Sequence, residues 1–105
     1  MISISYGGAE ADLPMSYQRR QCNEFMKLGL QGVSICASSG DSGVAQQGAN
    51  GDVCLGPANN IFDPDFPATC PYLTTLGATY LPPGGSAAKD QEVAVTRFPS
   101  GGGFR

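Results

Sequence analysis

The sequence predicts an α/β fold in which a parallel sheet carries a βαβ crossover and long loops. Three observations predict it. An alternating run, Ile2 to Tyr6, and a run of small and branched apolar residues, Val33 to Ala37, both read as strands. The stretch between them repeats its apolar residues at helical spacing, and strand, helix and strand in that order form a right-handed unit whose strands lie parallel. Gly (15) and Pro (8) together exceed a fifth of the 105 residues, so much of the remaining chain must be shaped loop.

Ile2-Ser3-Ile4-Ser5-Tyr6 alternates apolar and hydroxyl residues and runs into Gly7-Gly8, where backbone must turn or be approached closely. Pro14 suits the first helical position, and Asp12 just ahead of it favours a helix amino end. From there Tyr17, Gln21, Phe25 and Leu28 share a face flanked by Cys22, Met26 and Gly29, with Gln18, Arg19, Lys27 and Gln31 outside. Gly29 or Gly32 closes this helix of about four turns. Val33 to Ala37 then suits a strand buried on both faces. It breaks into Ser38-Ser39-Gly40-Asp41-Ser42-Gly43, a tight, irregular loop with Asp41 at its tip. The crossover leaves Tyr6-Gly7 and Gly40-Asp41 on one edge of the sheet, where open α/β sheets hold their ligands.

Residues 46–66 show no periodicity and are rich in Gly, Asn, Asp and Pro, which predicts a long surface excursion. Cys54 and Cys70 bracket most of it, and a disulfide between them would stabilise by about 3 kcal/mol on the loop-entropy model and imply an oxidising compartment. Cys22 on the inner helix face and Cys36 in the strand then read as free, core-filling thiols, with a Cys22–Cys36 bridge as the other option. Residues 70–79 read as a further strand with a glycine exit, Pro82-Pro83-Gly84-Gly85 as a turn, and residues 91–96 as an edge strand.

A chain of 105 residues makes one domain that buries about two-thirds of its unfolded surface. Charged residues are 14% with net charge −3, so no basic patch exists to hold nucleic acid or an anionic membrane. No apolar run is long enough for a transmembrane helix, and the amino end has neither the basic nor the apolar region of a signal peptide. The sequence opens directly on a strand and stops within a glycine loop, so an internal piece of a longer chain is expected. Histidine is absent, which removes a Ser-His-Asp or Cys-His pair from within the chain. Four cysteines without CxxC spacing assign no metal ligands.

Asp41 has two readings: a turn residue capping its own loop, or a catalytic carboxyl at the sheet edge. Gly40-Asp41-Ser42-Gly43 is similar to the nucleophile loop of chymotrypsin-like proteases, but Val44 stands where that loop needs glycine and no histidine is present. Ser42 therefore reads as loop support. Glu10 reads as a solvated loop acid or a carboxylate beside the strand end, and Tyr6 as core or as part of the cleft. Asp63 and Asp65 lack EF-hand spacing.

Taken together, SISYGG, QCNEFMKLG, ASSGDSG, DFPATCPYLTTLGAT and FPSGGGF resemble, in order and spacing, the sedolisin family, the serine-carboxyl peptidases that include the tripeptidyl peptidases. These motifs span nearly the whole chain. The resemblance implies a partial subtilisin-like fold and a secreted peptidase that cuts peptides in acid, using a serine assisted by a glutamate and an aspartate. It implies that Asp41 forms the oxyanion hole, and that Ser5, Tyr6 and Gly7 with Ser38, Ser39 and Gly40 flank the substrate. The Glu/Asp pair would lie before Met1, and the serine and the family's calcium ligands beyond Arg105. Pro99 and Arg105 depart from the family, which usually has serine there. The implied partners are a peptide or protein substrate, the rest of the peptidase domain and a propeptide, outside the cell or in a vacuole or lysosome. A carboxyl donates a hydrogen bond only while protonated, so an acidic optimum follows. The other class of reading is an inactive truncated copy or a disulfide-stapled secreted binding module.

Overall fold

The computed structural model describes residues 1–101. Its elements are β1 (Ile2–Ile4), β2 (Gly8–Ala9), α1 (Met15–Leu30), β3 (Ile35–Ser38), β4 (Gln46–Gly48), β5 (Gly51–Val53), β6 (Asp65–Phe66), β7 (Thr74–Leu76), β8 (Thr79–Tyr80) and β9 (Val93–Ala94), with a 3₁₀ turn at Glu10–Asp12. The central sheet is parallel in the order β1-β3-β7. This is the expected βαβ unit with a third strand added beside β3.

Register decides which residues share a face. Ile4 pairs with Ala37 and Ala37 with Thr75, so these lie with Ile2 and Ile35 on one side, while Ser3, Cys36, Ser38, Thr74 and Leu76 lie on the other. The first side is the covered one, with Ile35 and Ala37 buried. On the second, Ser3, Ser38, Thr74 and Leu76 are exposed. The strand expected to be buried on both faces is thus buried on one, because α1 is the one α-helix among the described residues.

Pro14 sits one position before α1, its carbonyl accepting from the N–H groups of Tyr17 and Gln18. Of the two glycines expected to close the helix, Gly32 does so. Its φ is +80°, and the Val33 and Gly32 N–H groups bond back to the carbonyls of Leu28 and Gly29. That double closure needs a left-handed residue, which glycine adopts without a Cβ penalty.

The buried face of α1 is rotated from the expected one. Gln18 and Cys22 are buried, whereas Tyr17 is half exposed. Two interactions set the rotation. Gln18 Nε2 donates to the carbonyls of Glu10 (2.7 Å) and Leu13 (2.8 Å), tying the helix to the turn before it. Cys22 forms a disulfide with Cys70, and these two with Phe66 centre a cluster joined by Leu13, Phe25 and Leu73.

The disulfide corrects the expected pairing of Cys54 with Cys70, and with it the free state expected of Cys22. Docking α1 on the 66–73 segment brings the Cα atoms of Cys22 and Cys70 to 5.4 Å, while Cys54 follows the β4–β5 hairpin and stays free, as does Cys36. The pairing closes a loop with a sequence separation of 48, worth about 4 kcal/mol on the loop-entropy model.

The 46–66 excursion is on the surface as expected, but it contains pairing that its composition did not signal. β4 and β5 form a hairpin, Leu55 bridges Ile61, and β6 pairs antiparallel with β2. The strand expected over 70–79 breaks at Gly77-Ala78 into β7 and β8, and the expected edge strand is β9, paired with β8. The turn closes through the Gly85 N–H on the Pro82 carbonyl. The molecule is a slab of 47 × 43 × 18 Å with a radius of gyration of 15.6 Å, against about 13 Å for a compact domain of this length.

Candidate active site

Three chain segments leave the carboxyl ends of the parallel strands together: Ser5 after β1, Ser39-Gly40-Asp41 after β3 and Gly77-Ala78 after β7. They enclose an open cavity of about 250 Å³, to which Ser5, Ser38, Ser39, Gly40 and Asp41 all contribute. The sheet edge gathers these five expected residues because parallel strands in register end at one level.

Tyr6 and Gly7 go elsewhere. Pairing of Gly8–Ala9 with Asp65–Phe66 turns the chain toward α1, and Tyr6 and Gly7 line a second cavity of about 490 Å³ with Tyr17, Phe25 and Phe66. Ile4 lines both cavities, so the two adjoin across β1. Tyr6 is 86% exposed, which removes it from the core.

Asp41 is exposed, and among the described residues its carboxyl has no hydrogen-bond partner. The reading of Asp41 as a side-chain cap for its own loop is thereby removed. Instead, backbone holds the loop. Gly40 and Gly43 have φ of +87° and +64°, the Gly43 N–H donates to the Pro99 carbonyl (2.8 Å), and the Gly101 N–H donates to Gly40 (3.1 Å). The Ser42 carbonyl accepts from the Ala45 N–H (3.0 Å), so Ser42 supports the loop. Ser39 is buried, its N–H on the Leu76 carbonyl and its Oγ 3.3 Å from Ser100 Oγ.

The structure adds residues that were not expected at the site. Asp65 lies against the backbone of both Gly7 and Gly40, and a Cβ at Gly40 would fall on its carboxylate. Gln46 Nε2 fixes that carboxylate at 2.8 Å and also donates to the Asp63 carbonyl. Asp63 is buried and accepts from the Ala11 N–H (3.0 Å). Glu10 accepts from Thr69 Oγ1 at 3.4 Å and does not line the cavity that holds Asp41. Among the described residues no group of three or more His, Cys, Asp or Glu gathers, and both Asp63 and Asp65 have protein donors, so these residues do not fit a calcium ion.

No family sequence model matches the chain. Over 99% of its length it is 68% identical to tripeptidyl-peptidase sed1 of Aspergillus fumigatus and 47% identical to aorsin of Aspergillus oryzae, and it spans 16% and 17% of those proteins. Among solved structures, Pseudomonas sedolisin, a serine-carboxyl proteinase complexed with two molecules of pseudo-iodotyrostatin, matches with a TM-score of 0.64 and 26% identity over 87% of this chain and 24% of its own. The chain belongs to the sedolisin family.

As a sedolisin-family segment it has the α/β, subtilisin-like organisation expected of it, with one α-helix and a three-stranded parallel sheet among the described residues. Four of the five family-like motifs fall on β1 and its exit, the second half of α1, β3 with the Asp41 loop, and the stretch from β6 to β8. The last, FPSGGGF, is described through Gly101; residues 102–105, including the departure at Arg105, lie outside the described residues. No helix among the described residues is long and apolar enough to cross a membrane.

Proposed function

We propose that this chain is the part of a secreted sedolisin-type peptidase that supplies the oxyanion-hole carboxyl and the strand ends flanking the substrate's backbone. The observation that carries the proposal is that Asp41 shares one cavity with Ser5, Ser38, Ser39 and Gly40 at the carboxyl edge of the parallel strands. Serine attack on a peptide carbonyl builds negative charge on oxygen. A donor aimed at that oxygen lowers the barrier by about 3 kcal/mol. A carboxylic acid donates only while it holds its proton, so the reaction runs in acid. The nucleophile and its acid pair come from outside this chain, as does any calcium site, and the isolated chain hydrolyses nothing.

The disulfide supports an oxidising location, outside the cell or in an acidic vacuole or lysosome. Peptide is the substrate class, and the remaining domain and a propeptide are the partners. The same disulfide favours a second reading, a stapled secreted binding module or inactive remnant.

The test is a chimera in which this chain replaces the matching stretch of the Aspergillus fumigatus relative. Peptide hydrolysis is expected to persist in acid. Asp41→Ala is expected to lower kcat by about 100-fold or more. Asp41→Asn keeps a donor when the carboxyl would be ionised, so its activity should extend toward neutral pH. Equal activity of Asp41→Ala and the parent removes Asp41 from the mechanism, and a chimera that hydrolyses no peptide at any pH leaves the binding module.

A further inference from the structure

We propose that Ser100 is a positioning residue for the Asp41 loop, the bolt of a strap formed by residues 99–101; the inference rests on the oxyanion reading of Asp41. The strap grips the loop on either side of Asp41. Ahead of it, the Gly40 carbonyl accepts from the Gly101 N–H at 3.1 Å; after it, the Gly43 N–H donates to Pro99 at 2.8 Å. Between these two bonds Ser100 Oγ accepts from the Ala78 N–H at 2.9 Å and lies 3.3 Å from Ser39 Oγ.

One hydroxyl thus ties together two corners that wall the cavity, Ser39-Gly40 after β3 and Gly77-Ala78 after β7. The fit leaves no slack. A Cβ on Gly77 would stand 3.2 Å from Ser100 Oγ, and one on Gly101 would run into the Ser39 carbonyl. Ser39 and Gly101 are buried while Ser100 and Gly40 are half-buried, so the hydroxyl pair and the backbone bond beside it are partly shielded from competing water.

Gly40 and Gly43, the loop's two left-handed residues, are the flexible joints through which Asp41 would otherwise swing. A donor to a developing oxyanion must be held to within about 0.5 Å, and a misplacement of about 1 Å costs about 100-fold in rate. The strap supplies that restraint from a segment distant in sequence, while the Asp65 carboxylate backs Gly40 from another side.

The experiment is a double-mutant cycle in the chimera, with Ser100→Ala, Asp41→Ala and both together. The expected result for Ser100→Ala is a loss of about tenfold in kcat with KM within about twofold, and affinity for a peptide aldehyde, which forms a tetrahedral adduct with the serine, falling in the same proportion. In the Asp41→Ala background Ser100→Ala is expected to have no further effect, because its role runs through that carboxyl. Equal losses in both backgrounds, or a kcat within about twofold of the parent, overturn the inference while leaving the oxyanion reading intact. If Asp41→Ala alone leaves kcat unchanged, the oxyanion reading fails and the strap's role falls with it.

Discussion

Asp65 shows how much a single side chain can settle without touching substrate. Its carboxylate occupies the space where a side chain on Gly40 would begin, and Gln46 holds it there at 2.8 Å. Gly40→Ala therefore incurs two costs: backbone strain at φ +87°, and displacement of Asp65 from its hydrogen bond. Together these amount to about 2 to 4 kcal/mol. Gly84→Ala separates them. Gly84 has nearly the same φ, +81°, with nothing within 4 Å of an added Cβ, so strain alone should cost about 1 kcal/mol. Urea unfolding of the two variants is the measurement; equal midpoints would mean that Asp65 does not brace the loop. The place of Asp41 just past β3 was legible because an apolar run breaking into serine and glycine marks a strand end. Asp65 was not, because in the sequence DPDF it is one loop acid among several.

Among the elements, α1 owes its orientation to partners that lie far away in the chain. Periodicity located the helix and left its rotation open: Gln18 reads as an outward polar residue until the two carbonyls it bonds are in view. The cysteines show the same limit. Spacing favoured Cys54 with Cys70, but pairing depends on which elements dock, and α1 docks on the 66–73 segment. Cys22→Ser is expected to destabilise by about 4 kcal/mol, and Cys54→Ser by less than about 0.5 kcal/mol, because Cys54 is free. Peptide mapping of the unreduced chain should recover Cys22 linked to Cys70. A Cys54–Cys70 peptide would refute this docking of the helix. The short β2–β6 pair escaped the sequence because two residues carry no period.

On the scale of the whole molecule, the slab's thickness of 18 Å is the governing quantity. Parallel sheets are ordinarily covered on both faces, and here Ser3, Ser38 and Leu76 stand open on the side away from α1. Protection against hydrogen exchange should follow that asymmetry. β3 is bonded on both edges and Ile35 and Ala37 are buried, so their amides should exchange slowest, together with those of α1 around Cys22. The β4–β5 and β8–β9 pairs are two-stranded and largely exposed, and such pairs are marginal in water. Their amides should exchange near the rate of an unfolded chain, at least about 1000-fold faster than those of β3 if the sheet opens with about 4 kcal/mol. Exchange monitored by NMR on the oxidised chain gives both rates directly. Uniform protection across β3, β5 and β9 would mean that the slab unfolds as one cooperative unit. The open face would then need no further layer, and the physical case for a larger peptidase domain packed against it would be lost.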